Sequence, residues 1–115
     1  MMVLNGRSVP MAYTVAAAVE IEKIIPEEYD GNVGKWLDGP TTRQLPKYVK
    51  LAAILHKCAL ERDGSEETPL TEAQLTTARP IDLVAAVGAA IKEGWEVSVE
   101  VEPQKKRTAR KSLFG

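Results

Sequence analysis

The 115-residue chain has one cysteine and one histidine. A lone Cys58 excludes an internal disulfide framework and leaves too few soft ligands for a structural zinc site, which points to a reducing compartment. With His56 the only imidazole, there is no pair of histidines at helical ligand spacing, and a cysteine two residues along a helix from it points in a different direction. Both residues are expected to be packing groups. Aromatic residues are scarce at 5% of the chain, so no interleaved aromatic platform for single-stranded nucleic acid is present. No run approaches the roughly 18 apolar residues of a membrane span. The amino terminus lacks the charged-then-apolar layout of a secretion signal, which predicts a cytoplasmic protein and no membrane partner. Glycines are scattered without a phosphate-cradling loop or a nucleotide fingerprint. The pairs Glu20/Glu22 and Glu27/Glu28 read as a solvated helix face and a loop, not as an acid-base couple. No catalytic, cofactor or metal-binding residues are assigned, and a non-enzymatic protein is expected.

What is present starts with a hairpin signal. Met2, Val3 and Leu4 precede Asn5-Gly6, and Arg7, Ser8, Val9, Pro10, Met11, Ala12 and Tyr13 follow this pair, which tolerates the positive φ angles of a type I′ turn. After Thr14, a candidate N-cap, Val15, Ala18, Val19, Glu22 and Ile25 fall on helical spacing, and Pro26 predicts the stop. Glu27 to Gly31 reads as an acidic loop, and Asn32 to Leu37 as a single helical turn closed by Asp38-Gly39-Pro40.

The longest predicted helix runs from about Leu45 or Pro46 to Arg62, with Pro46 in its first turn and Asp63-Gly64 as its stop. Two apolar stripes cover it: Tyr48, Leu51, Ala52, Leu55, Cys58 and Ala59, and beside them Val49, Ala53, His56 and Leu60. Such a helix is covered on two sides and should be central. Thr71 and Gln74 have the spacing of a capping box, which predicts a short helix ending before Pro80. Pro80, Ile81 and Asp82 open another, with Gly94 as a candidate C′ residue.

From Trp95 the period changes to strict alternation, Trp95, Val97, Val99 and Val101 against Glu96, Ser98, Glu100 and Glu102. Alternation predicts a strand over residues 95–101, with the hairpin as its natural partner; a continued helix or pairing with another chain are the alternatives. Trp95 at its start is read as a core residue, while Trp36 is placed equally well in the core or on a binding surface. The expected fold is therefore α+β and mostly α: an N-terminal β-hairpin, or a three-stranded antiparallel sheet including residues 95–101, packed with four to five helices. Residues 1–102 should form one globular domain and residues 103–115 a basic, flexible tail.

The charge is unevenly placed. Residues 1–102 hold ten bases and all sixteen acids, a net −6, whereas Lys105, Lys106, Arg107, Arg110 and Lys111 give the tail +5. Flexible positive charge could touch phosphates, but the chain has no recognition-helix pattern, which argues against nucleic acid as a partner.

The order of elements resembles the tail assembly chaperones of long-tailed bacteriophages and prophages. The matching residues are Val3 to Pro10, Tyr13-Thr14 to Ala18, Glu20 to Lys23, the Leu45 to Leu60 helix, Pro69-Leu70-Thr71 and Ile81-Asp82-Leu83. The likeness covers about residues 2 to 95, and the alternating segment and basic tail depart from it. It implies a protein that binds the long, aggregation-prone tape-measure protein in the infected cell, helps recruit tail-tube subunits and is absent from the finished particle. It also implies, in many members, a frameshifted longer product, for which Gln104-Lys105-Lys106 is a candidate slip region.

A groove that buries a partner's apolar helix fits this role, with Trp36, Leu37, Val49, Ala53 and Leu60 as expected lining residues and Trp95 as a further contact. The competing expectation is a structural tail or head-tail connector component that forms a homo-oligomer by strand addition through residues 95–101. A nucleic-acid-binding regulator that uses the tail ranks below both.

Overall fold

The computed structural model describes residues 2–95, and within them the chain is mostly helical with an N-terminal hairpin, an α+β arrangement. Strands β1 (Met2–Leu4) and β2 (Arg7–Val9) pair antiparallel with Met2 opposite Val9 and Leu4 opposite Arg7. Asn5 and Gly6 both take positive φ, 54° and 79°, as the two-residue type I′ turn requires. Alternation puts Met2 and Val9 into the core and leaves Val3 exposed.

Beyond β2 the chain runs extended across the middle of the longest helix. Ala12 N–H donates to the Leu55 carbonyl at 3.1 Å, and His56 Nδ1, 2.9 Å from the Pro10 carbonyl, donates to it. A carbonyl only accepts, so this contact fixes the proton on Nδ1. The first helix, α1 (Val15–Ile24), starts where Thr14 Oγ1 accepts from Ala17 N–H at 3.2 Å. Its buried residues are Ala17 and Ile21. The expected stripe was phased differently, and Val15 is in fact 82% exposed and Val19 49%. Three consecutive alanines make α1 weakly amphipathic, so small apolar groups face nearly every direction and packing against the central helix selects the phase.

The acidic loop contains a 3-10 turn at Glu27–Tyr29, ended by Asp30 and Gly31, both with positive φ. Asn32 then caps the one-turn helix α2 (Val33–Trp36) by accepting from Lys35 N–H.

Helix α3 (Thr41–Arg62) begins four or five residues earlier than expected and carries Pro46 inside it. Proline there forfeits one backbone bond, which side-chain anchors offset. Buried Gln44 donates through Nε2 to the Asp38 carbonyl at 3.1 Å. Lys47 Nζ donates to the Trp36 carbonyl at 2.7 Å and lies 5.3 Å from the centre of the Trp36 ring. These contacts hold α2 against the added N-terminal turn of α3.

After the polar loop, α4 (Glu72–Leu75) and α5 (Pro80–Trp95) complete the described fold. Helix α3 packs chiefly against α5, with α1 and α4 along its other sides. Its two apolar stripes are thus covered from within the chain: Leu51, Ala52, Leu55, His56 and Ala59 are buried almost completely. Arg7 ties the hairpin to the polar loop by donating to the Thr68 carbonyl at 2.8 Å and pairing with Glu67 at 3.2 Å.

Gly94 is not a cap. Helix α5 continues through it to Trp95, and a Cβ at position 94 would fall 2.6 Å from both Tyr13 Cβ and Tyr13 Cδ2. Close approach of the Tyr13 segment, not a left-handed φ, explains glycine there. Trp95 is helical and 71% exposed, so it neither opens a strand nor fills the core. The rest of the expected strand, residues 96–101, and the basic tail lie outside the described residues.

Candidate functional site

A capping box at the start of α4 fixes one side of a largely apolar concavity. Thr71 Oγ1 accepts from Gln74 N–H at 3.2 Å, and Gln74 Oε1 accepts from Thr71 N–H at 2.8 Å. Two orphan donors are satisfied at once, which lets a helix of four residues persist. The Thr77 hydroxyl closes its far end by donating to the Gln74 carbonyl at 2.7 Å. Leu75, fully buried, nails this turn onto the core, and the turn stands beside α3 as one wall of a groove. The groove encloses about 470 Å³ between α3, α4 and the start of α5, with Leu45, Val49, Leu75 and Leu83 as apolar lining and Lys50 and Glu72 as its charged residues. Ala73 and Thr76 are exposed at its edge. Groups of this kind can bury apolar side chains projecting from one face of a helix.

The expected contact residues do not form one surface. Val49 lines the α3–α4–α5 groove but is itself only 8% exposed. Ala53 lies in a separate, more polar recess of mixed charge, with Glu20, Lys23, Lys50, Lys57 and Glu72. Leu37 and Trp95 share a third concavity of about 440 Å³, with Tyr13, Tyr48 and Ile91 among its lining residues. Trp36 and Leu60 are buried, 6% and 5% exposed. The expectation that Val49 and Leu60 are free for a partner is therefore corrected, because α4, α5 and the Pro10–Ala12 crossing already cover α3 on several sides. Leu45, Ala73, Leu75 and Leu83 were missed; the Thr71/Gln74 box signalled α4, but nothing local says that α4 lies along α3.

No protein-family model, curated protein or solved structure matches this chain.

The site's chemistry is of packing and ion pairing. Burial pushes the Cys58 thiol above its ordinary pKa, against a hydrogen bond from Thr14 that pulls it down, so Cys58 is held as the thiol. His56 is fully buried, with Nδ1 committed to Pro10 and Nε2 without a hydrogen-bond partner among the described residues. Lys57 donates to Glu20 at 2.9 Å, and this bond with the accompanying charge attraction holds the Glu20 carboxyl below the usual carboxylate range. Among the described residues no three His, Cys, Asp or Glu side chains gather as a metal site, and no helix is long and apolar enough to cross a membrane.

Proposed function

We propose that this protein is a non-enzymatic tail assembly chaperone of a long-tailed phage or prophage. It works in the cytoplasm of the bacterial host, binds the tape-measure protein, keeps it soluble and helps recruit tail-tube subunits. One observation carries the reading: the apolar groove between α3, α4 and α5, about 470 Å³ in volume, is open at the surface and suited to side chains from an amphipathic helix. The resemblance in element order over residues 2 to 95 supports it, as does the net negative charge of residues 1–102, which would attract basic segments of a partner.

The test is co-expression with the product of a long, helix-rich gene lying next to this one. The wild type should keep that product soluble and co-purify with it. Ala73→Arg with Thr76→Glu places charge at two exposed edge positions of the groove and should abolish co-purification while the helical spectrum is unchanged. A folded double variant that still holds the partner in solution would remove the groove from the proposal.

A connector subunit that oligomerises by strand addition through residues 95–101 is the second reading, favoured by exposed Val3 on a hairpin that pairs with no third strand among the described residues. It predicts a ring retained in purified particles, whereas a chaperone is missing from them.

A further inference from the structure

The concavity between α2, α3 and α5 differs from the others in what surrounds it. Tyr13, Leu37, Tyr48, Val87 and Ile91 give it an apolar lining, and Trp95 stands on its wall with its ring centre 5.7 Å from that of Tyr13. Gly31 and Asn32 form part of its edge, immediately after Glu27, Glu28 and Asp30 in the chain. The Glu22 carboxylate reaches the same edge, where Oε2 lies 3.3 Å from the position a Cβ would take on Gly31. All four acids are exposed, and among the described residues none of them forms an ion pair. This is an apolar hollow with acids gathered at its Gly31 end, while the exposed bases Lys35 and Lys92 adjoin Gly34 and Ile91 elsewhere on its lining.

The chain outside the described residues leaves from Trp95, on the wall of this hollow. Its sequence has the complementary order: five bases from Lys105 to Lys111, then Leu113-Phe114. We propose that residues 105–114 of the same chain dock here, Leu113 and Phe114 in the hollow and the bases against Glu22, Glu27, Glu28 and Asp30. Trp95 and Leu113 are about eighteen residues apart, a length whose root-mean-square span is about 20–25 Å, so the tether brings the segment back to its own hollow at an effective concentration of roughly a millimolar. The choice of hollow follows from charge. The recess around Ala53 holds Lys23, Lys50 and Lys57 against Glu20 and Glu72, with Glu20 already paired to Lys57, and the α3–α4–α5 groove carries one charge of each sign, so neither offers a basic segment a net acidic wall. Docking thus covers Trp95 and leaves the proposed partner groove open, so it stands whether or not the chaperone reading holds.

A nitroxide placed by Ser112→Cys in the full chain, with buried Cys58 replaced by Ala, tests this by paramagnetic broadening. The amides of Gly31, Asn32, Gly34 and Gly88 should broaden, and the effect should persist when labelled protein is diluted with unlabelled protein lacking the isotope. Phe114→Ser should lower the docked-to-free ratio by about tenfold. Glu22→Lys with Glu28→Lys, both at exposed positions, should likewise release the segment, and salt should weaken it as screening shortens from about 10 Å at 0.1 M to about 3 Å at 1 M. No broadening at those four amides, broadening at Ala73 and Thr76 instead, or broadening of an isotope-labelled chain only by a nitroxide on a second copy would each overturn the proposal.

Discussion

Two glycines on one helix should respond to alanine with opposite signs. Gly88 and Gly94 both lie in α5, and neither has a positive φ. In a helix, alanine is favoured over glycine by about 0.5–1 kcal/mol because the unfolded chain loses less freedom on folding. At Gly88 a Cβ meets no atom of the described residues within 4 Å, so Gly88→Ala should keep that gain and raise the melting temperature by about 3–6 °C. At Gly94 the Cβ would lie 2.6 Å from Tyr13 Cβ and 2.7 Å from the Tyr13 carbonyl oxygen. Those atoms cannot swing aside, because the adjoining segment is bonded to α3 through Ala12 N–H and the Pro10 carbonyl. Overpacking of this kind costs about 1–3 kcal/mol, which outweighs the helical gain and leaves Gly94→Ala less stable by roughly 0.5–2 kcal/mol. Urea melts followed by helical circular dichroism read both variants on one scale. Equal stabilisation by the two alanines would refute the close approach of Tyr13 to α5.

Other perturbations test the remaining joints. Thr14→Ala removes the acceptor for Ala17 N–H and should cost about 1 kcal/mol in the same melts, whereas Thr14→Ser should restore most of it. His56→Leu keeps an apolar group of similar bulk but leaves the Pro10 carbonyl without its donor; a loss of about 1–2 kcal/mol is expected, and an unchanged melt would show the bond to be dispensable. Glu20 has a depressed pKa, so the contribution of its pair with Lys57 is complete above the ordinary glutamate range and is lost as pH falls through the lowered value. Lys57 is raised by the same bond, so the contribution also fades as pH climbs past the ordinary lysine range. Glu20→Gln should remove both of these components from a stability-pH profile, and a profile identical to wild type would mean the exposed pair contributes nothing measurable.

The parts of the fold written in short-range chemistry were readable in the chain. Asn5-Gly6 specified the hairpin because few other residue pairs accept two positive φ angles in succession, and Thr14 and Thr71 marked helix starts because their hydroxyls bond within three residues. The parts decided by distant partners were not. Helix α3 gained its first turn through Gln44 on Asp38 and Lys47 on Trp36, contacts that no periodicity records. Helix α1 turned Ala17 and Ile21 inward because its alanines leave the phase open until α3 is in place. The same reason explains the contact residues: the breadth of apolar surface on α3 was legible, but whether Val49 and Leu60 face a partner or the chain's own α4, α5 and Pro10–Ala12 segment depends on tertiary cover. Trp95 misled through its place in an alternating run, although its backbone belongs to the helix before it.

The Pro10–Ala12 crossing has a consequence for how the molecule opens. Its amide at Ala12 belongs to no helix or strand, yet it is joined to a carbonyl halfway along the most buried helix, more than forty residues away. Releasing it requires the Pro10–Ala12 segment to lift from α3, an event that also breaks the His56 bond to Pro10 and uncovers the buried His56 ring. In hydrogen exchange the Ala12 amide should therefore be retained as long as amides of central α3. An isolated proton in irregular chain would then report on unfolding of the whole core, and a fusion or truncation that loosens the first dozen residues would be felt in the middle of the molecule before it is felt at either end of α3.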